Sequence, residues 1–327
     1  MPADAVLPSF ISHKFPVRDR LTRFCFWVLL VFVLTPWASP PTALALGLLL
    51  ALTLGNPYRD HTRGWSQYLL QTSVVALGFG MNLQQVLRTG RQGFFYTLLG
   101  IAFALLAGFL LGKILAVRQT ASFLISVGTA ICGGSAIAAV APVIGADDEE
   151  ISVSLGTVFI LNAVGLFLFP WLGHSLNLSQ NQFGIWAALA IHDTSSVVGA
   201  AAKYGPLALA TATTIKLTRA LWIIPVALAA ALVTHGKARV RVPWFIFGFL
   251  VAALVKSYAP FGLQPSLQFL NQLGKTGLTV TLFLIGLGIS RTTIAKVGAR
   301  PLLQGIILWA LVAIASLLLI RYSIAVA

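Results

Sequence analysis

Phe183-Gly184-Ile185-Trp186-Ala187-Ala188-Leu189-Ala190-Ile191-His192-Asp193-Thr194-Ser195-Ser196-Val197-Val198-Gly199-Ala200-Ala201-Ala202 is an apolar run with an ionisable pair and three hydroxyls at its centre. In a bilayer those groups have no solvent, and a titratable side chain at that depth costs several kcal/mol by most estimates. Such residues face a water-filled cavity or one another, and they mark a substrate, ion or proton path.

The rest of the chain makes the bilayer reading the governing one. Of its 327 residues 58% are hydrophobic and only 9% charged, with a mean hydropathy of +0.90. Globular domains carry about a quarter charged residues, so the expected class is an all-α polytopic membrane protein. Apolar runs near membrane length fall at 23–38, 41–55, 66–87, 94–112, 121–145, 151–172, 184–202, 206–234, 242–258, 266–290 and 302–321, which predicts ten or eleven transmembrane helices. Pro36, Pro40 and Pro41 leave the first two as separate helices, one broken helix or a tight hairpin. The polar breaks are short, so we expect residues 1–22 to be a cytoplasmic N-terminal segment and 23–327 to be one integral membrane transporter domain. The basic N-terminus followed by an apolar run lacks a small-residue cleavage site, and it is read as a helix rather than a signal peptide.

Charge sets the expected orientation. With the N-terminus cytoplasmic, Lys14, Arg18, Arg20, Arg23, Arg59, Arg63, Lys113, Arg118, Lys237, Arg239, Arg241, Arg291, Lys296 and Arg300 fall inside, as the positive-inside rule requires. The same alternation places Asp147-Asp148-Glu149-Glu150 outside, as a solvated acidic loop. The net charge of +14 thus reports topology and anionic lipid, and no nucleic-acid partner is expected. Cys25 and Cys132 lie in apolar runs without metal-ligand spacing, and the five histidines make no ligand pair, so no metal and no cofactor are expected.

Three further stretches carry chemistry. Ile131-Cys132-Gly133-Gly134-Ser135, ending at Pro142, has the paired glycines and proline of a helix broken inside the membrane, whose freed backbone groups can meet a ligand. Cys132 and Ser135, three apart, would share a face; close packing through small residues is the alternative. Thr213, Lys216 and Arg219 recur at spacing three and would form a polar stripe able to bind an anion. Lys275 is balanced between such a role and snorkelling to the interface. Asn162 reads either as helix-to-helix glue or as a ligand. On one helix, His192, Ser195 and Ser196 would share a face while Asp193 points about a hundred degrees away. His192 could carry a proton, and Asp193 could accept sodium or balance a cation. Gly78-Phe79-Gly80-Met81-Asn82 echoes Gly286-Leu287-Gly288-Ile289-Ser290, which reads either as an inverted repeat or as coincidence among Gly-rich apolar helices.

Cys132-Gly133-Gly134-Ser135-Ala136-Ile137-Ala138-Ala139-Val140-Ala141-Pro142, then Ala190-Ile191-His192-Asp193-Thr194-Ser195-Ser196-Val197-Val198, then Lys216-Leu217-Thr218-Arg219, closely resemble the YeiH-type inner-membrane proteins known as the sulfate exporter family. The resemblance covers nearly the whole chain. It implies a bacterial inner-membrane carrier in a superfamily of bile acid:sodium symporter-like folds, with inverted repeats, panel and core domains and broken crossing helices. The family's pattern has Gln at the position of Ser196, where this chain departs from it.

The expected function is secondary transport of a small anion, sulfate or an organosulfonate, coupled to H+ or Na+. Cys132, Gly133, Gly134, Ser135, Thr194, Ser195, Ser196, Lys216 and Arg219 are the expected substrate-binding residues, and His192, Asp193 and Asn162 the ion-coupling ones. The partners expected are the anion, the coupling ion, the lipid bilayer and a second copy in a homodimer. No enzymatic activity is expected, although Ser135 with His192 leaves an intramembrane serine hydrolase as an alternative. A carrier or channel for another solute is a further alternative. The chain has no phosphate-binding Gly-x-x-x-x-Gly-Lys loop, which argues against a primary ATP-driven pump.

Overall fold

A computed structural model of the chain describes residues 16–234, 244–289 and 297–325. Lys14, Lys237, Arg239, Arg241, Ser290, Arg291 and Lys296 lie outside the described residues, as do the first fifteen residues of the N-terminal segment. Every regular element described is helical: α1 (Pro16–Val33), α2 (Pro40–Thr53), α3 (Arg59–Gly78), α4 (Leu83–Ile114), α5 (Gln119–Ala130), α6 (Gly134–Val140), α7 (Asp148–Ser175), α8 (Gln180–Ala190), α9 (Thr194–Tyr204), α10 (Pro206–Ala220), α11 (Ile223–Thr234), α12 (Trp244–Tyr258), α13 (Gln264–Gly288) and α14 (Ala299–Ala325), with a 3-10 turn at Phe261–Leu263. Among the described residues, Leu83–Ile114, Asp148–Ser175, Pro206–Thr234 and Ala299–Arg321 are long and apolar enough to cross a membrane. The chain is an all-α polytopic membrane protein.

The prolines near the N-terminus make two helices rather than one broken one. Ser39 caps α2 in a reciprocal box with Thr42, and Pro40 occupies the first helical position, where it forfeits no intrahelical bond. The helices then sort into two groups. In one, α13 packs along α3 and α2, and α12 lies against α3. Gly47 of α2 faces the Phe283 carbonyl and Gly286 of α13 faces the Leu44 carbonyl, so any side chain at either glycine would hold these two backbones apart. In the other group α4, α5, α7, α8, α9, α10 and α14 pack among themselves, and α9 meets α2 and α13 across the boundary.

The runs 121–145 and 184–202, expected as spans, do not cross. Each is broken near its middle and turns back. Arg118, before α5, bonds Asp147, before α7, at 3.1 Å, and the Ser154 hydroxyl on α7 donates to the Ala121 carbonyl on α5 at 3.2 Å. The chain therefore enters along α5, breaks at 131–133 and returns along α6 to its starting face. At the second break, Tyr204 stacks on Phe183 with ring centroids 3.8 Å apart, and its hydroxyl donates to the Leu178 carbonyl at 2.6 Å. Gln180 Oε1 accepts the Leu207 N–H at 3.0 Å, so α9 ends where α8 began. Twelve residues of α5 span about 18 Å and eleven of α8 about 16 Å, too short for a core of about 30 Å.

The bases of the two hairpins lie at opposite ends of α7, a continuous helix of 28 residues and about 42 Å. They are re-entrant from opposite faces. This also corrects the place of the acidic run. Asp147 to Glu150 share a face with Arg118, because Asp147 caps α7 in a box with Glu150 while Arg118 reaches Asp147 and Glu150. The Glu150 N–H and the Arg118 guanidinium hold the Asp147 carboxyl below the usual carboxylate range.

This topology predicts a labelling pattern. In oriented vesicles, single cysteines at Val117 and Ala146, in a chain with both native cysteines replaced by serine, should react with an impermeant maleimide from the same side. Cysteines at Ser175 and Lys203, exposed at the base of the second hairpin, should both react from the other side. Val117 and Ala146 reacting from different sides would restore the crossing helix.

Candidate functional site

The hairpin tips meet at the middle of α7. Gly133, with φ of +67°, turns the first tip, and a Cβ there would stand 3.5 Å from the backbone N and Cα of Asp193 in the second. Only glycine adopts that conformation without strain. Asn162, the fifteenth of the 28 residues of α7, ties the second tip in place. Its Oδ1 accepts the Asp193 N–H at 3.1 Å and its Nδ2 donates to the Ser196 hydroxyl at 2.6 Å. Asp193 in turn caps α9, accepting the Ser195 N–H at 3.0 Å and the Ser195 hydroxyl. Asp, Ser and Thr suit this position because their side chains satisfy the orphan N–H groups of a first turn.

The cations complete the junction from α10. The Arg219 guanidinium donates to the carbonyls of Thr129 and Ala130 at the end of α5, and to those of Ala188 and Leu189 at the end of α8. The Lys216 ammonium donates to the Ile191 carbonyl at 2.8 Å and to that of Ala188 at 3.4 Å. From α14, Trp309 Nε1 donates to the Ala190 carbonyl at 2.9 Å. The C-terminal ends of two half-helices, each about half a negative charge, thus face the Lys216 and Arg219 side chains. Neither cation makes an ion pair with Asp193 among the described residues.

Most of the expected site residues converge here. Cys132, Gly133, His192, Asp193, Thr194, Ser195, Ser196, Asn162, Lys216 and Arg219 are all buried at or beside the tips. Two local readings change. His192 lies in the break, ahead of α9, and shares no helix face with Ser195 and Ser196; its Nε2 lies 3.1 Å from the Thr129 hydroxyl and its Nδ1 has no partner. Cys132 is buried in the first break, whereas Gly134 is half-buried and Ser135 sits exposed on the first turn of α6. Thr213 is fully buried and its hydroxyl has no partner.

Thr129 and Trp309 were not singled out from the sequence. A lone Thr or Trp in an apolar helix carries no pattern, so only the fold could place them. The break at 191–193 did leave a signal: Asp193 followed by Thr194 and Ser195 is a helix-start sequence inside an apolar run.

A cavity of about 400 Å³ opens at the boundary between the two helix groups, lined by Val198, Gly199 and Ala202 of α9 and by Gln272, Lys275 and Thr279 of α13. Lys275 is exposed on its wall. The α9 face along it continues one turn deeper to Ser195 at the tip. Beside the cavity Gly199 is closed in by Leu282, Leu166 and Pro40.

Asn162 provides a stability test of the junction. Asn162→Ala strands the buried Asp193 N–H and Ser196 hydroxyl, and should lower the free energy of unfolding in detergent by about 2 kcal/mol. A loss within about 0.5 kcal/mol, the ordinary range of a surface substitution, would mean the tip is not held from α7.

The sequence comparisons agree on the family. The family described as conserved hypothetical protein 698 matches residues 28–305. A UPF0324 membrane protein of Bdellovibrio bacteriovorus is 50% identical over 303 residues, covering 90% of this chain and 93% of its own. UPF0324 membrane proteins of Bacteroides thetaiotaomicron and Geobacter sulfurreducens are 49% and 48% identical, covering 88% and 93% of this chain and 87% and 97% of theirs. No solved structure matches the chain. With the match extending over most of its length, the chain belongs to the family of UPF0324 membrane proteins described as conserved hypothetical protein 698.

Proposed function

We propose that the protein is a secondary carrier of a small anion across the bacterial inner membrane, the reading that the sulfate exporter resemblance also supports. The observation that carries it is the meeting, at mid-depth, of two interrupted helices that enter from opposite faces. Carriers place their sites where such breaks meet, because freed backbone groups there can hold and release an ion. The charge at the junction favours an anion. The positive N-terminal ends of α6 and α9 offset the negative C-terminal ends of α5 and α8, while Lys216 and Arg219 exceed Asp193 by one positive charge. The anion's contacts are the backbone and hydroxyls around Gly133, Gly134, Thr194, Ser195 and Ser196, with the two cations behind them as a fixed field.

The cavity beside α9 gives access from the face that holds the base of the second hairpin, and Lys275 on its wall attracts an anion toward the tip. Ser195 and Ser196 at the tip are fully buried, so the junction is closed to that cavity and transport requires α9 to move against its neighbours α2 and α13. The face carrying Lys113, Arg118 and Arg300 is cytoplasmic by the positive-inside rule, which keeps the N-terminus inside. His192 is the proton-coupling group in this scheme: its Nδ1 is free and it stands at the junction itself.

The hydrolase alternative is less well supported. His192 meets Thr129 rather than Ser135, and Ser135 is exposed on the first turn of α6. A serine nucleophile needs its base within hydrogen-bond reach.

The test is uptake and counterflow of labelled sulfate, and of a labelled alkylsulfonate, in proteoliposomes under an imposed proton gradient. Gradient-driven flux should appear in wild type, lose its pH dependence in His192→Ala, and show a KM raised about tenfold in Lys275→Ala, the order of one lost charge contact. Folded protein that moves neither anion under any gradient would overturn the carrier reading for these solutes. An unchanged pH profile in His192→Ala would remove the imidazole from coupling.

A further inference from the structure

Carriers driven by sodium hold that ion on the carbonyl ends of interrupted helices and on nearby side-chain oxygens. The corresponding oxygens here are already taken. Arg219 receives the carbonyls of Thr129, Ala130, Ala188 and Leu189, and Lys216 receives that of Ile191 together with a longer contact to Ala188. Trp309 occupies the Ala190 carbonyl. Around the second tip, Asn162 Oδ1 accepts the Asp193 N–H, one carboxylate oxygen of Asp193 accepts from Ser195, and the Ser196 hydroxyl accepts from Asn162.

Both cations are fully buried and come from one helix, one turn apart. An ammonium or guanidinium that deep is tolerable only where every donor meets an acceptor or an opposite charge. The two helix ends and the break at Ile191 supply four acceptors to the guanidinium and two to the ammonium together with the negative dipole ends, which a diffusible cation would otherwise neutralise. A metal ion seated on these carbonyl ends would have to displace a tethered cation, since a hard cation gathers several oxygens around itself and the ammonium and guanidinium already stand there.

We infer that Lys216 and Arg219 are resident cations that occupy the place of a coupling metal ion, so that the carrier's anion site is complete without sodium. The inference rests on the anion-carrier reading for the word carrier, but not for its geometry. It argues against sodium as a coupling ion at this junction. It also makes Lys216 and Arg219 positioning residues, which hold the two tips together and set the field, rather than direct ligands of the anion.

Thermal unfolding of the purified full chain in detergent, in sodium chloride against choline chloride at equal ionic strength, tests this without transport. A sodium site occupied a hundredfold above its dissociation constant would raise Tm by about 4 °C in a chain of this size. Wild type should instead show a difference below about 1 °C, within the range of non-specific salt effects. Lys216→Ala vacates one cation position, so its Tm should be lower and should recover in part with methylammonium or sodium but not with choline. Arg219→Ala should recover in part with dilute guanidinium. Where Lys216→Ala does not fold, Lys216→Met keeps the stem volume and frees only the Nζ position, so it is read by recovery with ammonium or sodium against choline.

A sodium-dependent rise in wild type of the size given above would overturn the inference. So would folded Lys216→Ala and Arg219→Ala variants indifferent to every small cation. A chain that meets these expectations yet moves no labelled anion would keep its resident cations and lose the carrier reading, so the two failures are distinguishable.

Discussion

Four hydrogen bonds from one guanidinium join the ends of α5 and α8, two half-length helices whose hairpins enter the protein from opposite faces. Without them, each helix would end at mid-depth with several carbonyls unpaired where no water is available, at a cost of several kcal/mol for each group in hydrocarbon. The guanidinium is suited to this because its five donors are fixed in a plane and cannot be lost by deprotonation in ordinary conditions. Lys216, one turn earlier on α10, and Trp309 on α14 take the remaining carbonyls of the second tip. This set of bonds holds the ends of α5 and α8 against each other, while Asn162 holds the second tip to α7.

Burying two cations is expensive, and the fold offsets the cost with backbone rather than carboxylates. The C-terminal dipoles of α5 and α8 supply diffuse negative charge, which leaves Asp193 free to cap α9. An Asp paired with Lys216 would have closed the junction electrically. Capping α9 instead leaves a positive excess beside the N-terminal ends of α6 and α9, the feature on which the anion reading depends. The same economy explains Asn162: a neutral amide on α7 satisfies one donor and one acceptor of the second tip without altering its charge.

Much of this was legible in the sequence, and the part that was not has a physical reason. The composition and the recurring apolar runs gave the all-α membrane class, and the Gly133-Gly134 pair gave the first break. His192, Asp193, Lys216, Arg219 and Asn162 stood out because polar groups in apolar runs need partners. Hydropathy could not distinguish a run that crosses from one that enters and returns, since both bury apolar residues in the same number. The run at 184–202 reads as one helix until Asp193 is recognised as a cap, and the contacts of Tyr204 with Phe183 and Leu178 and of Gln180 with Leu207 show that the chain turns back. The contact of Arg118 with Asp147 likewise joins residues that simple alternation assigns to opposite faces. That Lys216 and Arg219 meet carbonyls from two other hairpins is a matter of tertiary placement, invisible in a stripe of spacing three.

Hydrogen exchange of Arg219→Lys, compared with wild type in lipid nanodiscs, tests the clasp most directly. A lysine keeps the charge but cannot reach both helix ends with a planar fork. Exchange should therefore rise together in the peptides covering 125–135 and 186–196, while the hairpin bases near Arg118 and Gln180 stay as protected as before. A rise confined to one tip, or none at either, would contradict the account, because it would mean that the two hairpins are held at mid-depth independently of Arg219.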